Sequence, residues 1–365
     1  MIRLSIPSID KKEERAVAAV LKSGFLVQGK TVAHFEELVA RYVGIKHAVA
    51  VSSGTSAIHL ALLALNVGPG DEVIVPDYTF PATANAVELC GAKTVLADID
   101  PATFNIDPSG IERLITSKTK AIMPVHLFGQ SADLDPVIRL ARRHKIHVIE
   151  DAACTLGAQY KGRMSGTIGD AGCYSFHPRK PITTGEGGVV VTKNDSVARR
   201  LRLLRNHGME YTKDGIDFVI PGFNYRMTEI HAAIGSVQME KLARLIAARR
   251  KVAAEYDKQL KTISWITPPI TPKTNTHVFQ SYIVRVSPAV DRNKLIHYLR
   301  EQGIESNFGT YAIHRLSYYK DKYRLKSANF PVAEQVFHST VALPFFDHLT
   351  KRQITQVVET LKKFQ

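Results

Sequence analysis

The sequence predicts an α/β protein, a large domain on a mostly parallel sheet between helices followed by a smaller α+β domain. Three observations predict this. Short β-rich runs alternate with helical patterns through the first two-thirds of the chain, as parallel strands joined by helical crossovers require. The 365 residues, 45% of them hydrophobic, suffice for a sizeable core and two domains. Beyond a Pro-rich interruption, ITPPITPKTNTH, the remaining chain carries β and helical patterns of its own.

The runs follow in order. HAVAVSS (47–53) reads as a strand and SAIHLALLAL (56–65) as a helix. DEVIVP (71–76), KTVLADI (93–99), KAIMPV (120–125) and IHVIED (146–151) read as further strands. Between the last two, Asp133 begins a helix with Leu134, Val137, Ile138 and Ala141 on one face. AGCYSF (171–176) and GGVVVT (187–192) complete a set of seven strands. Too little chain separates that last pair for a crossover helix, so they are antiparallel or joined by an irregular loop. After Asn194 the chain turns helical and basic, and an amphipathic stretch covers 228–260. QSYIVRV reads as a strand, with helices at 292–302 and 351–364. The boundary is placed near residue 245, inside the long helix, giving a large domain over 1–245 and a small one over 246–365.

Bulk properties narrow the function. The net charge is +14, from 48 Lys+Arg against 34 Asp+Glu, but the basic runs at 199–205 and 244–251 have helical spacing and read as solvated faces. No helix-turn-helix, RNA-recognition or zinc-finger signature is present, so no nucleic-acid partner is expected. The three cysteines (Cys90, Cys154, Cys173) lack CxxC spacing, which argues against a disulfide framework or a metal site. No run is long enough to span a bilayer, and the N-terminus lacks the pattern of a signal peptide. A cytoplasmic location is expected.

Three places carry chemistry. SSGTSA (52–57) lies between a strand and a helix, where a glycine lets the backbone approach an anion and the helix start offers free N–H groups; equally, Ser53 or Thr55 simply caps the helix. Asp151 ends an apolar strand, where ligands of parallel sheets bind; it could hold a pyridine nitrogen protonated, or Glu150 or Asp151 could cap the next segment. Lys180 sits in SFHPRKPITTGEGG, with prolines that fix the backbone and glycines that permit close approach. A lysine so placed can form a Schiff base, although any single lysine is by default a surface one. The combination, in that order along the chain, is what distinguishes it.

These motifs resemble the fold-type I aminotransferases, and most closely the nucleotide-sugar aminotransferase family, the DegT/StrS group. The shared text is SSGTSA, PDYTFPATANAV, VHLFGQSADLDPV, VIEDAA, SFHPRKPITTGEGG, RNHG and FNYRMTEIHAAIG, with weaker similarity reaching ALPFFDHLT. The resemblance implies pyridoxal 5'-phosphate as cofactor, with pyridoxamine 5'-phosphate as the alternate form. It implies that Lys180 forms the Schiff base and shuttles protons, and that Asp151 pairs with the pyridinium nitrogen. Gly54, Thr55, Ser56 and Ser175 would hold the phosphate, and Phe80 would stack on the ring unless it is a core aromatic. Asn224 would reach the phosphate from a neighbouring subunit, making the active unit a homodimer. His177 and Glu186 beside the lysine would contact substrate or stand behind the residues that do, and Tyr311 and His314 in TYAIH would contact substrate unless His314 is an ordinary surface histidine. One departure stands out: where the family usually has Gln or His against the cofactor's 3′ oxygen, this chain has Cys154, a weak hydrogen-bonding group.

The implied activity is transfer of an amino group from L-glutamate to the keto group of a sugar linked to dTDP, UDP or GDP. Alternatives are a keto-cyclitol or simpler carbonyl acceptor, and a regulatory protein that kept the fold. The presence of Lys180 argues against the last, and against the family's dehydratase branch, where a histidine replaces the lysine.

Overall fold

The computed structural model describes residues 1–364. The seven expected strands form one sheet: β1 (His47–Val51), β2 (Glu72–Pro76), β3 (Lys93–Ala97), β4 (Thr119–Ile122), β5 (His147–Asp151), β6 (Ala171–Ser175) and β7 (Gly188–Thr192). Their order across the sheet is β1-β7-β6-β5-β4-β2-β3. From β6 to β3 every pairing is parallel, whereas β7 runs antiparallel to both β6 and β1. Both readings left open for the last pair hold: the strands are antiparallel, and an irregular loop joins them.

Alternation along the strands builds two cores. Val49, Val51, Val73, Val75, Ile149, Cys173 and Val190 face a cluster with α3 (Gly54–Ala64), α4 (Ala82–Leu89) and α6 (Asp195–Arg205). Their neighbours Ala48, Ala50, Tyr174, Val189 and Val191 face α2 (Lys30–Val43) and the first half of α7 (Glu229–Leu260). Farther along that same side, Ile74, Ile122 and Val148 pack on α5 (Leu134–His144). This period-two split between two helical layers explains why the strands read as continuous apolar runs.

Two elements at the N-terminus, not predicted, lock onto α7. The first helix, α1 (Lys11–Ser23), opens with a capping box of Asp10 and Glu13. Glu13 is buried and meets Lys241 Nζ at 2.7 Å and Gln238 Nε2 at 2.6 Å. The next helix, α2, has no side-chain cap of its own at Gly29. Glu229 supplies one, its carboxylate accepting the N–H groups of Gly29, Thr31 and Val32 at 2.8–2.9 Å. A hairpin of β8 (Met209–Thr212) and β9 (Gly215–Phe218) projects after α6.

The second half of α7 packs Val252, Ala253, Tyr256 and Leu260 against another sheet. That sheet has the order β10 (Ile266–Thr267), β11 (Tyr282–Val286), β13 (Thr340–Leu343), β12 (Asn307–Phe308). It is covered by α8 (Arg292–Glu301) and the C-terminal Lys351–Lys362 helix. Between β12 and β13, Ile313, Tyr319, Phe330, Ala333 and Val336 pack into the core of the large sheet. No helix among the described residues is long and apolar enough to cross a membrane.

Candidate active site

Gly54, Thr55, Asp151 and Ser175 lie at the carboxyl ends of β1, β5 and β6, where parallel sheets form their sites. Strand alternation sends the adjacent carboxylates of β5 to different tasks. Glu150 is fully buried and accepts N–H groups from Gly166, Ile168 and Gly169 at 2.6–2.7 Å. It also meets His126 Nε2 at 2.8 Å. Because His126 Nδ1 accepts the Ala132 N–H at 3.1 Å, the Nε2 carries the proton toward Glu150. Burial pushes the Glu150 carboxyl up, but its donors outweigh that and hold it below the ordinary value. Glu150 is thus a structural pin.

Asp151 faces the site. Its Oδ2 accepts from Thr83 Oγ1 at 2.8 Å and its Oδ1 from the Ala153 N–H at 3.1 Å. Burial raises its carboxyl above the usual range, against the opposing pull of those donors and of the Lys180 ammonium. A buried carboxylate in that state is incompletely compensated and suits a cationic ligand group.

The turn before α3 does both things considered for it. Ser53 caps the helix, accepting the Ser56 N–H at 3.0 Å, and Ser56 Oγ accepts the Ser53 N–H at 2.9 Å. The Ser56 hydroxyl, expected at a phosphate, is therefore committed to this reciprocal cap, and its residue is buried. Gly54 and Thr55 remain at the helix start, where N–H groups have no intrahelical partner, and Thr55 is exposed. A Cβ at Gly54 would lie 2.7 Å from Ser175 Cβ, so only glycine lets the helix start meet the end of β6.

Between β6 and β7 the 176–187 loop folds back on itself. Phe176 O accepts the Thr184 N–H at 3.0 Å and the Thr183 hydroxyl at 2.7 Å, and the Lys180 N–H reaches His177 O at 2.8 Å. The Lys180 amine lies 3.1 Å from Cys154 Sγ. His177 is half-buried; burial lowers its basicity, while Glu186 works the other way. Glu186 is exposed and exerts the same pull on His231 of α7, a residue not singled out beforehand.

Phe80 is 63% exposed, high for a phenylalanine, and its ring stands edge-on to Tyr311 with centroids 6.2 Å apart. His314 requires a correction. It was expected at the substrate, but it is buried, with Nδ1 at 2.5 Å from Asp77 Oδ2 and Nε2 at 3.0 Å from Glu334 Oε2. Both ring nitrogens are taken, so it ties two segments together and has none to offer a ligand. Asn224 is exposed, on an extended segment whose Tyr225 O accepts the Ser52 N–H at 2.9 Å. Thr83, which fixes Asp151, was also missed; it lies inside the PDYTFPATANAV text, but nothing local shows that its hydroxyl reaches a residue 68 positions away.

The donor set fits pyridoxal phosphate. An amine, a buried carboxylate in need of a cation, a glycine-shaped helix start and an exposed aromatic ring meet at one end of the sheet. No cluster of metal ligands occurs among the described residues.

Comparison with known proteins bears on this geometry. The DegT/DnrJ/EryC1/StrS aminotransferase family model matches residues 7–362. GDP-perosamine synthase of Caulobacter vibrioides is 42% identical over 364 residues, covering 99% of this chain and 97% of its own length. Spore coat polysaccharide biosynthesis protein SpsC of Bacillus subtilis is 37% identical over 374 residues, 98% and 95% of the two chains. Among solved structures, the putative sugar aminotransferase Spr1654 of Streptococcus pneumoniae in its PMP form superposes with a TM-score of 0.94 at 31% identity, covering 99% and 96% of the chains.

Proposed function

The chain belongs to the DegT/DnrJ/EryC1/StrS aminotransferase family, and from that premise we propose that it carries its cofactor on Lys180. As a member it is a pyridoxal-phosphate enzyme, an aminotransferase acting on nucleotide-linked sugars. The observation that carries the site assignment is the convergence of the Lys180 amine, the buried Asp151 carboxylate and the start of α3.

When bound, pyridoxal phosphate supplies an electron sink through which an amino group leaves one carbon and arrives on another. Asp151 keeps the ring nitrogen protonated. The N–H groups of Gly54 and Thr55, with the hydroxyls of Thr55 and Ser175, hold the phosphate, and Ser56 serves through the cap that shapes them. Phe80 covers the ring face. The Lys180 amine would move the proton at the substrate carbon. His177, Glu186 and Tyr311 face the substrate. Asn224 completes the phosphate site of a second copy, so the working unit is a homodimer.

L-glutamate is the donor, and the acceptor is a GDP-linked keto-sugar, a choice supported by the 42% relative, whose name carries a GDP-linked amino sugar. The division near residue 245 separates the cofactor-carrying part from the smaller part. The reaction is placed in the cytoplasm, a reading that three free cysteines support.

The test supplies glutamate and a panel of GDP-, UDP- and dTDP-linked keto-sugars, with product read by mass spectrometry. GDP-linked acceptors should turn over fastest; a UDP or dTDP preference would overturn that assignment. Lys180→Ala should lose transamination while still binding pyridoxamine phosphate. Persistent turnover would mean that another lysine carries the cofactor.

A further inference from the structure

Cys154 is the only side chain within hydrogen-bond reach of the Lys180 amine among the described residues, at 3.1 Å. Its backbone puts it there. Asp151 Oδ1 accepts the Ala153 N–H at 3.1 Å, and the Thr155 N–H reaches Ala152 O at 2.9 Å, closing a turn over 152–155. Ala152 and Thr155 are fully buried at the ends of that turn, while Cys154 between them is only partly buried. The carboxylate that faces the site therefore also anchors the turn that presents the sulfur. The other two thiols, Cys90 and Cys173, are buried in the core, where burial pushes both up, Cys90 to about 12.

We propose that Cys154 is a positioning residue for Lys180, holding the free amine toward Asp151 and the start of α3 so that it meets an incoming aldehyde already oriented. This rests on the assignment of Lys180 as the cofactor lysine. A free lysine side chain has rotamer entropy to lose before it can react. A directly bonded carboxylate would remove that freedom too, but as a charge-assisted partner it would be harder to displace when the aldehyde arrives. A thiol is a weaker partner. It orients the amine through one modest contact that an incoming aldehyde can displace.

The experiment uses the full-length apoprotein and measures capture of pyridoxal phosphate by the visible absorbance of the lysine-bound cofactor. In parallel, affinity for pyridoxamine phosphate, which needs no condensation with lysine, is read by fluorescence titration. Cys154→Ala should slow capture about fivefold, the worth of one modest hydrogen bond, with the thermal midpoint unchanged and pyridoxamine phosphate affinity falling by clearly less than the capture rate. Cys154→Ser should restore most of the rate. Iodoacetamide should alkylate Cys154 ahead of Cys90 and Cys173 and block capture, while cofactor fixed beforehand by borohydride should protect the thiol. Unchanged capture in Cys154→Ala overturns the proposal, as does a slowed capture matched by an equal loss of pyridoxamine phosphate affinity. Peptide mapping of the borohydride-fixed cofactor separates the two failures. Label on a lysine other than Lys180 sinks the parent assignment; label on Lys180 with unchanged capture sinks only the role of Cys154.

Discussion

Glu150 and Asp151 share one strand yet answer to different faces of the sheet. Replacing Glu150 by alanine leaves three backbone N–H groups and His126 without an acceptor in a fully buried place. The expected loss is at least about 3 kcal/mol in denaturant unfolding, with the 166–169 loop loosened first. Asp151→Asn should leave stability near wild type and weaken pyridoxal phosphate binding by at least about thirtyfold, as truncating one partner of a buried charge pair does; equilibrium dialysis measures it. The text IHVIED pointed to Asp151 at the strand end and gave Glu150 at most a capping role, because its partners at 166–169 and His126 are distant in sequence. His314 shows the same limit more sharply. Its partners Asp77 and Glu334 lie 237 and 20 residues away, so the local text TYAIH could not reveal that its nitrogens are occupied. Burial by itself would lower the His314 imidazole, and the two carboxylates more than offset that and raise it. A raised imidazole contributes stability that is complete below its unfolded value of about 6.5 and lost as pH rises through its folded value. The thermal midpoint of the wild type should thus fall over that window relative to His314→Gln, as scanning calorimetry at stepped pH would show.

Among the elements, the long helix α7 was legible because its apolar pattern persists over many turns, and the strands were legible as apolar runs between turn signals. The first helix was not, because it is rich in charge and its anchorage is a buried ion pair with a residue 228 positions away. The second, α2, carried a usable sign in the spacing of Val32, Phe35, Val39 and Val43, all buried. Lys241→Ala would leave Glu13 buried without its cation, at a cost of about 3–5 kcal/mol. Hydrogen exchange should then find the 11–23 helix exchanging well before the sheet. Burial pushes Glu13 up, but Lys241 and its other donors outweigh this and hold it low. The latch is therefore present above the ordinary carboxylate value of about 4.3 and lost as pH falls through the depressed one. Acid should release this helix in the wild type by the same exchange measurement.

At the scale of the whole molecule, strand existence was readable but strand order was not, since order depends on pairings between distant segments. The two-residue strands β10 and β12 leave no pattern at all. The β8–β9 hairpin is more telling. Met209 pairs with Phe218 and Tyr211 with Ile216, so one face of the ribbon is apolar, and Tyr211, Ile216 and Phe218 are 58–77% exposed. Its other face is tied down by Glu210, which takes a bidentate grip from Arg199. A second copy of the chain covering this ribbon would account for the exposure. If the proposed homodimer uses this ribbon, Tyr211→Asp combined with Phe218→Asp should leave a monomer in analytical ultracentrifugation and lower turnover; an unchanged oligomeric state would place the interface elsewhere. The 32 residues of α7 extend for about 48 Å, with one half in the core of the large sheet and the other in that of the small one. Such a shaft cannot bend in the middle without breaking its own hydrogen bonds. The two lobes are therefore thermodynamically welded, and calorimetry should record a single endotherm in which neither lobe melts ahead of the other.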